Sequence, residues 1–145
     1  MEKILVGLDG SANSFEALEA AIALAKLCKA ELHTISVEGL PDFPESIGEI
    51  EEEKSSEDGK YDHYIAKAEE MAAAKAVRLK THVFTGHEVK TIVEYIKNNR
   101  IDLLVVGFMG RSAIYDWVMG RTSQSLVRLS PCSVLVVKHK EPALI

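Results

Sequence analysis

The amino-acid sequence predicts an α/β fold, an open, twisted sheet of five parallel strands with helices on both faces. Two observations predict this class. Short apolar runs alternate along the chain with stretches whose apolar residues recur at helical spacing. The run at 101–107 is apolar almost throughout, as in a strand buried on both faces of a parallel sheet. Right-handed strand–helix–strand units then favour the strand order 3-2-1-4-5, with a switch point between strands one and four.

The start of the chain predicts one complete strand–helix–strand unit. Residues 4–8 form an apolar run that ends before Gly10, and residues 30–37 form a second strand. Between them, Asn13 or Ser14 is placed to cap a helix, with Glu16 at the capping-box distance from Asn13. The apolar face of this helix, which we expect to lie on the sheet, consists of Leu18, Ala21, Ile22, Ala25 and Cys28.

The segment 38–60 interrupts the alternation. It holds nine acidic residues against two lysines, together with prolines and glycines. Such a composition is typical of a solvated, flexible surface loop, and we interpret it so, within a single domain that spans residues 1–145. The alternative is a lid or a partner-docking segment beside the functional site.

The remainder of the chain resumes the α/β pattern. Residues 61–76 are alanine-rich and predict a helix, and 78–85 alternate as a third strand does. Residues 89–96 are strongly amphipathic and predict another helix. The runs at 101–107 and 133–137 are the fourth and fifth strands, the last of them at an edge of the sheet.

Composition excludes several classes of protein. No apolar run is long enough to span a membrane, and the chain enters a strand pattern at once, so we expect a cytoplasmic protein. Without segment 38–60, 13 acids and 15 Lys or Arg residues remain of the 22 and 17 in the chain. The half that follows residue 101 is the electropositive one, which suits a small polyanion. Basic residues are not interleaved with aromatic ones, so a nucleic-acid partner is not expected. The five histidines show no metal-binding spacing and are interpreted as surface or edge residues, and both cysteines as inert packing thiols.

Three glycines mark the candidate site. Gly107 ends the fourth strand and Gly110 follows it, and without side chains both let the chain approach a ligand closely. Gly120 precedes a helix whose free N–H groups suit an anion. The stretch 111–119 between them carries apolar residues at helical spacing and is interpreted as a short turn of helix. The pattern therefore predicts a phosphate cradle made of two glycine clusters, with turn chemistry that binds no ligand as the alternative.

The same residues carry a resemblance to a known family. The spacing Gly107-x2-Gly110-x9-Gly120 resembles the nucleotide-binding signature of the universal stress proteins. The opening Lys-Ile-Leu-Val-Gly-Leu-Asp-Gly-Ser at 3–11 and the closing Ser-Pro-Cys-Ser-Val-Leu-Val-Val at 130–137 are similar to that family's first and last strands. One position departs from the family pattern, because Arg121 stands where nucleotide-binding members usually carry Ser or Thr.

The resemblance implies a Rossmann-like fold that binds an adenine nucleotide, namely ATP, with ADP or AMP and an accompanying Mg²⁺ left open. Asp9, at the end of the first strand, would bind the ribose, unless it simply caps the next helix. Val37 would flank adenine through its backbone, and a core valine is an equal alternative. Arg121 removes a hydroxyl from the phosphate site but offers a guanidinium that can grip phosphate. The candidate ligand-binding residues are Asp9, Val37, Gly107, Met109, Gly110, Arg111, Gly120, Arg121, Thr122 and Ser123.

Three functions remain open from the sequence. The first is a stress or signalling module whose nucleotide-bound state is recognised by a partner. The second is a slow ATPase, for which Asp9 is the one candidate general base. The third is a dimerising stress protein with a vestigial site. In each case the apolar edge strand 133–137 predicts a homodimer, as the family's dimers join through it.

Overall fold

The computed structural model describes residues 1–39, 59–109 and 119–139. Outside the described residues lie residues 40–58 of the predicted flexible loop and residues 111–118 of the predicted turn of helix at 111–119. Two candidate site residues, Gly110 and Arg111, lie there as well. The elements in chain order are β1 (Lys3–Gly7), α1 (Ala12–Cys28), β2 (Glu31–Glu38), α2 (Gly59–Ala74), β3 (Leu79–Thr85), α3 (Glu88–Asn99), β4 (Leu103–Gly107), α4 (Arg121–Leu129) and β5 (Ser133–Val137).

The five strands form one sheet in which every neighbouring pair is parallel. Their order is β3-β2-β1-β4-β5, so the predicted fold class and strand order are confirmed. β1 and β4, which are far apart in sequence, pair at the centre, with Leu5 opposite Leu104. Both strands are apolar and buried because helices cover the two faces of the sheet.

Each face of the sheet has its own apolar cluster. On one face α1 and α2 pack over Ile4, Val6, Leu32 and Val105. On the other, α3 and α4 pack over Leu5 and its neighbours, through Ile92, Ile96 and Leu126. Two layers of helix around a parallel sheet leave the carboxyl ends of the strands as the edge where loops meet.

Two predictions about α1 are wrong. Its N-cap is Ser11, not Asn13 or Ser14, and the Ser11 hydroxyl accepts the N–H of Ser14 at 3.1 Å. Cys28 is exposed, because the helix ends there and the chain turns through Lys29 in the left-handed conformation. Asn13 does not cap the helix. Its side chain is buried, at 3% exposure, and bonds to the loop after β4.

A histidine cluster joins β2, β3 and α3, and His33 in it contradicts the prediction that all five histidines are surface or edge residues, because it is buried on an inner strand. His33 is 7% exposed. Its Nδ1 lies 3.1 Å from Nε2 of His82, and the hydroxyl of Tyr95 lies 2.9 Å from the same His82 nitrogen. The two imidazole centroids are 5.3 Å apart with ring planes at 13°, so the rings meet edge to edge and share one N–H···N hydrogen bond.

The hydrogen bond disfavours a second proton on this pair. If both rings were charged, two N–H groups would face each other across 3.1 Å. Burial, reinforced by His33 and Lys80, holds the pKa of His82 below its ordinary value. On the far side of His33, its Nε2 bonds to the carboxylate of Glu31, and this bond lowers the pKa of Glu31.

We expect the stability of the protein to fall as pH decreases through the ordinary histidine range. Because His82 is harder to protonate in the folded than in the unfolded state, the unfolded state binds more protons below a pH of about 6.5. Urea unfolding between neutral and mildly acidic pH should therefore show a loss of stability that His82→Gln reduces. His63→Gln on the exposed face of α2 is the matched control. Equal pH slopes in wild type and His82→Gln would contradict this account.

Candidate functional site

A cavity of about 360 Å³ opens at the carboxyl ends of the central strands. The tips of β1, β2 and β4 form its floor, and the first turns of α3 and α4 form its wall. Of the ten residues predicted to bind a ligand, the structure brings eight to this one cavity: Asp9, Val37, Gly107, Met109, Gly120, Arg121, Thr122 and Ser123. The other two, Gly110 and Arg111, lie outside the described residues.

Gly107 is required for a reason different from the one that its sequence position suggested. We expected its missing side chain to admit a ligand. Instead, a Cβ at this position would lie 2.9 Å from both Cγ and Oδ1 of Asn13. The side chain of Asn13 therefore packs directly on the Gly107 Cα. The glycine admits an asparagine of α1 and so brings that helix against the tip of β4.

The loop after β4 is tied down through its backbone. The N–H of Phe108 donates to the carbonyl of Val137 at 2.9 Å, and its own carbonyl accepts the N–H of Gly120 at 2.8 Å. The N–H of Met109 donates to Oδ1 of Asn13 at 2.8 Å. Gly120, at the entrance of α4, is thereby bonded to the residue that follows Gly107, and the predicted convergence of these two glycines is present.

Some of the donors expected to face a ligand are already engaged. The hydroxyl of Ser123 donates to the carbonyl of Gly107 at 2.7 Å, and Ser123 is 8% exposed. The amides of Met109 and Gly120 donate to the protein in the bonds just described. These three residues line the cavity, but as parts of its frame, since a donor that holds a carbonyl is not available to an incoming anion.

The free donors of the site belong to the first turn of α4. Gln124 makes the first backbone hydrogen bond of the helix, to the carbonyl of Gly120. The backbone N–H groups at 121–123 have no acceptor in the part of the chain that the structure describes. They point out of the helix start, where the helix dipole also favours negative charge. The exposed side chain of Arg121 stands beside them and lines the same cavity.

Asp9 and Val37 each combine the two roles that the sequence left open. Oδ1 of Asp9 accepts the N–H of Ser11 at 2.9 Å, which fixes the turn before α1. The same carboxylate lines the cavity, and its second oxygen has no partner among the described residues. Val37 packs on the apolar cluster beneath α3 and is half-buried at the cavity floor.

Sequence reasoning missed three residues of the site. Tyr61, 5% exposed at the start of α2, lines the cavity. Glu88, in the first turn of α3, accepts the hydroxyl of Thr122 at 3.3 Å and places a carboxylate beside the entrance of α4. Asn13 was interpreted as a cap. Of these, Glu88 had a usable signal, because it follows the end of β3 at Gly86 just as Asp9 follows β1.

Within residues 1–39, 59–109 and 119–139, no group of three or more His, Cys, Asp or Glu side chains could hold a metal ion. In the same ranges no helix is long and apolar enough to cross a membrane.

An open, doubly wound sheet with a cavity at the switch point between β1 and β4 defines a Rossmann-like protein of the class that binds ligands at strand ends. The model of the universal stress protein family matches residues 1–138 of the chain. The chain therefore belongs to the universal stress protein family.

Individual relatives agree with this assignment over almost their full length. Universal stress protein YxiE of Bacillus subtilis is 35% identical over 148 aligned residues, which cover 94% of this chain and 98% of that protein. The structure of universal stress protein UspA from Lactobacillus plantarum is similar at a TM-score of 0.83 and 26% identity, covering 94% and 97% of the two chains. A universal stress protein solved in complex with cAMP has a TM-score of 0.73 at 24% identity, covering 94% and 96%.

Replacing Gly107 should destabilise the protein through Asn13. We expect Gly107→Ala to cost about 1–3 kcal/mol of unfolding free energy, because the new methyl group overlaps a buried asparagine that cannot move without losing its bonds. Gly7→Ala is the matched control, since its methyl group would meet Val106 at an ordinary 3.5 Å. Urea unfolding compares the two, and equal stabilities would show that Asn13 does not constrain residue 107.

Proposed function

We propose that this chain is an adenine-nucleotide-binding universal stress protein, a stress-response or signalling module whose bound state is recognised by a partner. The observation that carries the proposal is the cavity itself. The tips of β1 and β4 and the free start of α4 meet there, so a carboxylate suited to a sugar lies in the same hollow as an anion site. The similar protein solved in complex with cAMP supports an adenine nucleotide as the ligand.

The phosphate end of the ligand would lie at the start of α4. Three N–H groups at 121–123 can donate to phosphate oxygens, and the guanidinium of Arg121 can add a charge-assisted pair of hydrogen bonds. Arg121 then takes over from the hydroxyl that the family usually has at this position. On this basis ATP is the proposed ligand, with ADP and AMP held more weakly because fewer oxygens reach Arg121.

The sugar and base would lie over the tips of β1 and β2. The oxygen of Asp9 that does not hold Ser11 can accept a ribose hydroxyl. Val37 and Ile92 offer an apolar floor for adenine, and Tyr61 an aromatic wall. A Mg²⁺ ion would be bound mainly by the phosphates, with Glu88 as the cavity carboxylate closest to Thr122.

The state of Asp9, the one general base that the sequence suggested, supports binding rather than hydrolysis. A general base must reach the attacking water with a free oxygen, whereas Asp9 holds the turn with one oxygen and faces the proposed ribose with the other. We therefore propose a binding module. From the composition and charge pattern of the sequence, we further propose that it acts in the cytoplasm, without a nucleic-acid or membrane partner.

The nucleotide proposal is tested by ligand release and by affinity. Protein purified from cells and then denatured should release adenine nucleotide. Arg121→Ala should weaken ATP binding about three- to tenfold, as the loss of a partly solvated charge-assisted hydrogen bond implies, and leave adenosine binding unchanged. Arg128→Ala, at the other end of α4, is the control. No released nucleotide and no measurable affinity for ATP, ADP or AMP would favour a vestigial site.

The edge strand predicts the oligomeric state. β5 pairs with β4 on one side, and Leu135 on it and Leu129 just before it are 37% and 54% exposed. We propose a homodimer joined through β5. Light scattering should give the dimer mass at micromolar concentration and the monomer mass for Leu135→Glu, whereas Leu27→Glu, at an 80% exposed leucine of α1, should remain dimeric. A monomeric wild type would refute the proposal.

A further inference from the structure

The side chain of Asn13 makes three hydrogen bonds beside the site, although it does not line the cavity. It is 3% exposed. Its Oδ1 accepts the N–H of Met109 at 2.8 Å. Its Nδ2 donates to the carbonyl of Val137 and to Oε1 of Glu16, both at 3.0 Å. One side chain of α1 is thus bonded to the loop after β4 and to the end of β5.

The chemistry of these partners requires an amide. Oδ1 faces a donor, while both hydrogens of Nδ2 face acceptors, so the orientation of the side chain is set by its neighbours. A flipped amide would place its NH₂ against the N–H of Met109. An aspartate of the same shape would place a charged oxygen against the Val137 carbonyl and the Glu16 carboxylate. A side chain of the same shape without an amide group therefore does not satisfy the three partners of Asn13.

Asn13 also packs closely against the backbone of the segment that it binds. Gly107 has no side chain where Asn13 packs, so the two residues fit each other across α1 and β4. The Val137 carbonyl accepts from Phe108 as well as from Asn13, and the Phe108 carbonyl accepts from Gly120. The chain of bonds runs from Asn13 through the loop to the residue that precedes α4. The position of the loop relative to the α4 start thus depends on this amide.

We propose that Asn13 is the positioning residue of the nucleotide site, whose amide holds the loop 107–109 and, through it, sets the start of α4 at the distance that a phosphate group needs. The proposal rests on the proposed function. Asn13 itself touches no ligand, so its effect passes through the backbone of Met109 and Phe108. Its loss should weaken ligands that carry phosphate and spare a ligand that does not.

The experiment compares Asn13→Ala and Asn13→Leu with wild type. Asn98→Ala and Asn98→Leu, at an exposed asparagine of α3, make the same chemical changes away from the site. Ile22→Val, at a 3% exposed residue of the same helix as Asn13, controls for a general loss of stability. Two quantities are measured: the amide hydrogen exchange of Met109 in the ligand-free protein, and the affinities for ATP and for adenosine.

We expect both Asn13 variants to expose the Met109 amide to exchange and to weaken ATP binding about three- to tenfold, the effect of one lost hydrogen bond at the phosphate end. Adenosine affinity should stay within about twofold of wild type, since no phosphate is involved. The three control variants should match wild type in both measurements. The Asn13→Leu variant is decisive, because it fills nearly the same space but can neither accept nor donate a hydrogen bond.

The proposal is overturned if Asn13→Leu keeps wild-type exchange at Met109 and wild-type ATP affinity, since Asn13 would then act by filling space. It is also overturned if Ile22→Val reproduces the loss, which would make stability the cause. If wild-type protein binds neither ATP nor adenosine, the proposed function is refuted, and with it the nucleotide part of this proposal. The exchange of Met109 then still decides whether Asn13 holds the loop.

Discussion

The structure depends on the parallel pairing of β1 with β4 at the centre of the sheet. These strands are separated by about a hundred residues in sequence and meet with Ile4 opposite Leu103 and Val6 opposite Val105. Both are buried, so helices must cover both faces, and the ends of the two strands must open at the same edge. Asp9 and Gly107 come to one cavity for this reason, and the candidate site is a consequence of the strand order.

Around this pairing, the loop at the site is held by hydrogen bonds to its backbone groups rather than by charged side chains. Ser123, Gly120 and Asn13 each satisfy a carbonyl or an amide of the segment 107–109. A buried backbone group left unpaired would cost free energy, so these bonds hold the loop in one arrangement before any ligand arrives. The donors left over are those at the start of α4, which is where a helix has unpaired N–H groups in any case.

The sequence predicted the strands and the helical faces because both follow from local apolar patterns, and the strand order followed from the right-handed connections between parallel strands. It also placed Asp9, Gly107 and Gly120 in one crevice. It could not predict that Asn13 packs on Gly107, since this contact joins residues that are 94 positions apart and no local pattern marks it. For the same reason the burial of His33 was missed, because its partners His82 and Tyr95 lie on other elements. The prediction that Asn13 caps α1 was wrong because the N-cap is Ser11, two positions earlier.

The most direct test of the account is to map ATP on the protein by nuclear magnetic resonance of the backbone amides. We predict the largest shifts at 121–123, followed by residues near Asp9 and the end of β2. The contradicting result is equally specific. A second cavity at the opposite ends of the strands is lined by Lys26, Lys29, Arg78 and Lys80. Shifts confined to that basic cavity, with 121–123 unchanged, would show that ATP is attracted by surface charge and that the crevice between β1 and β4 does not bind it.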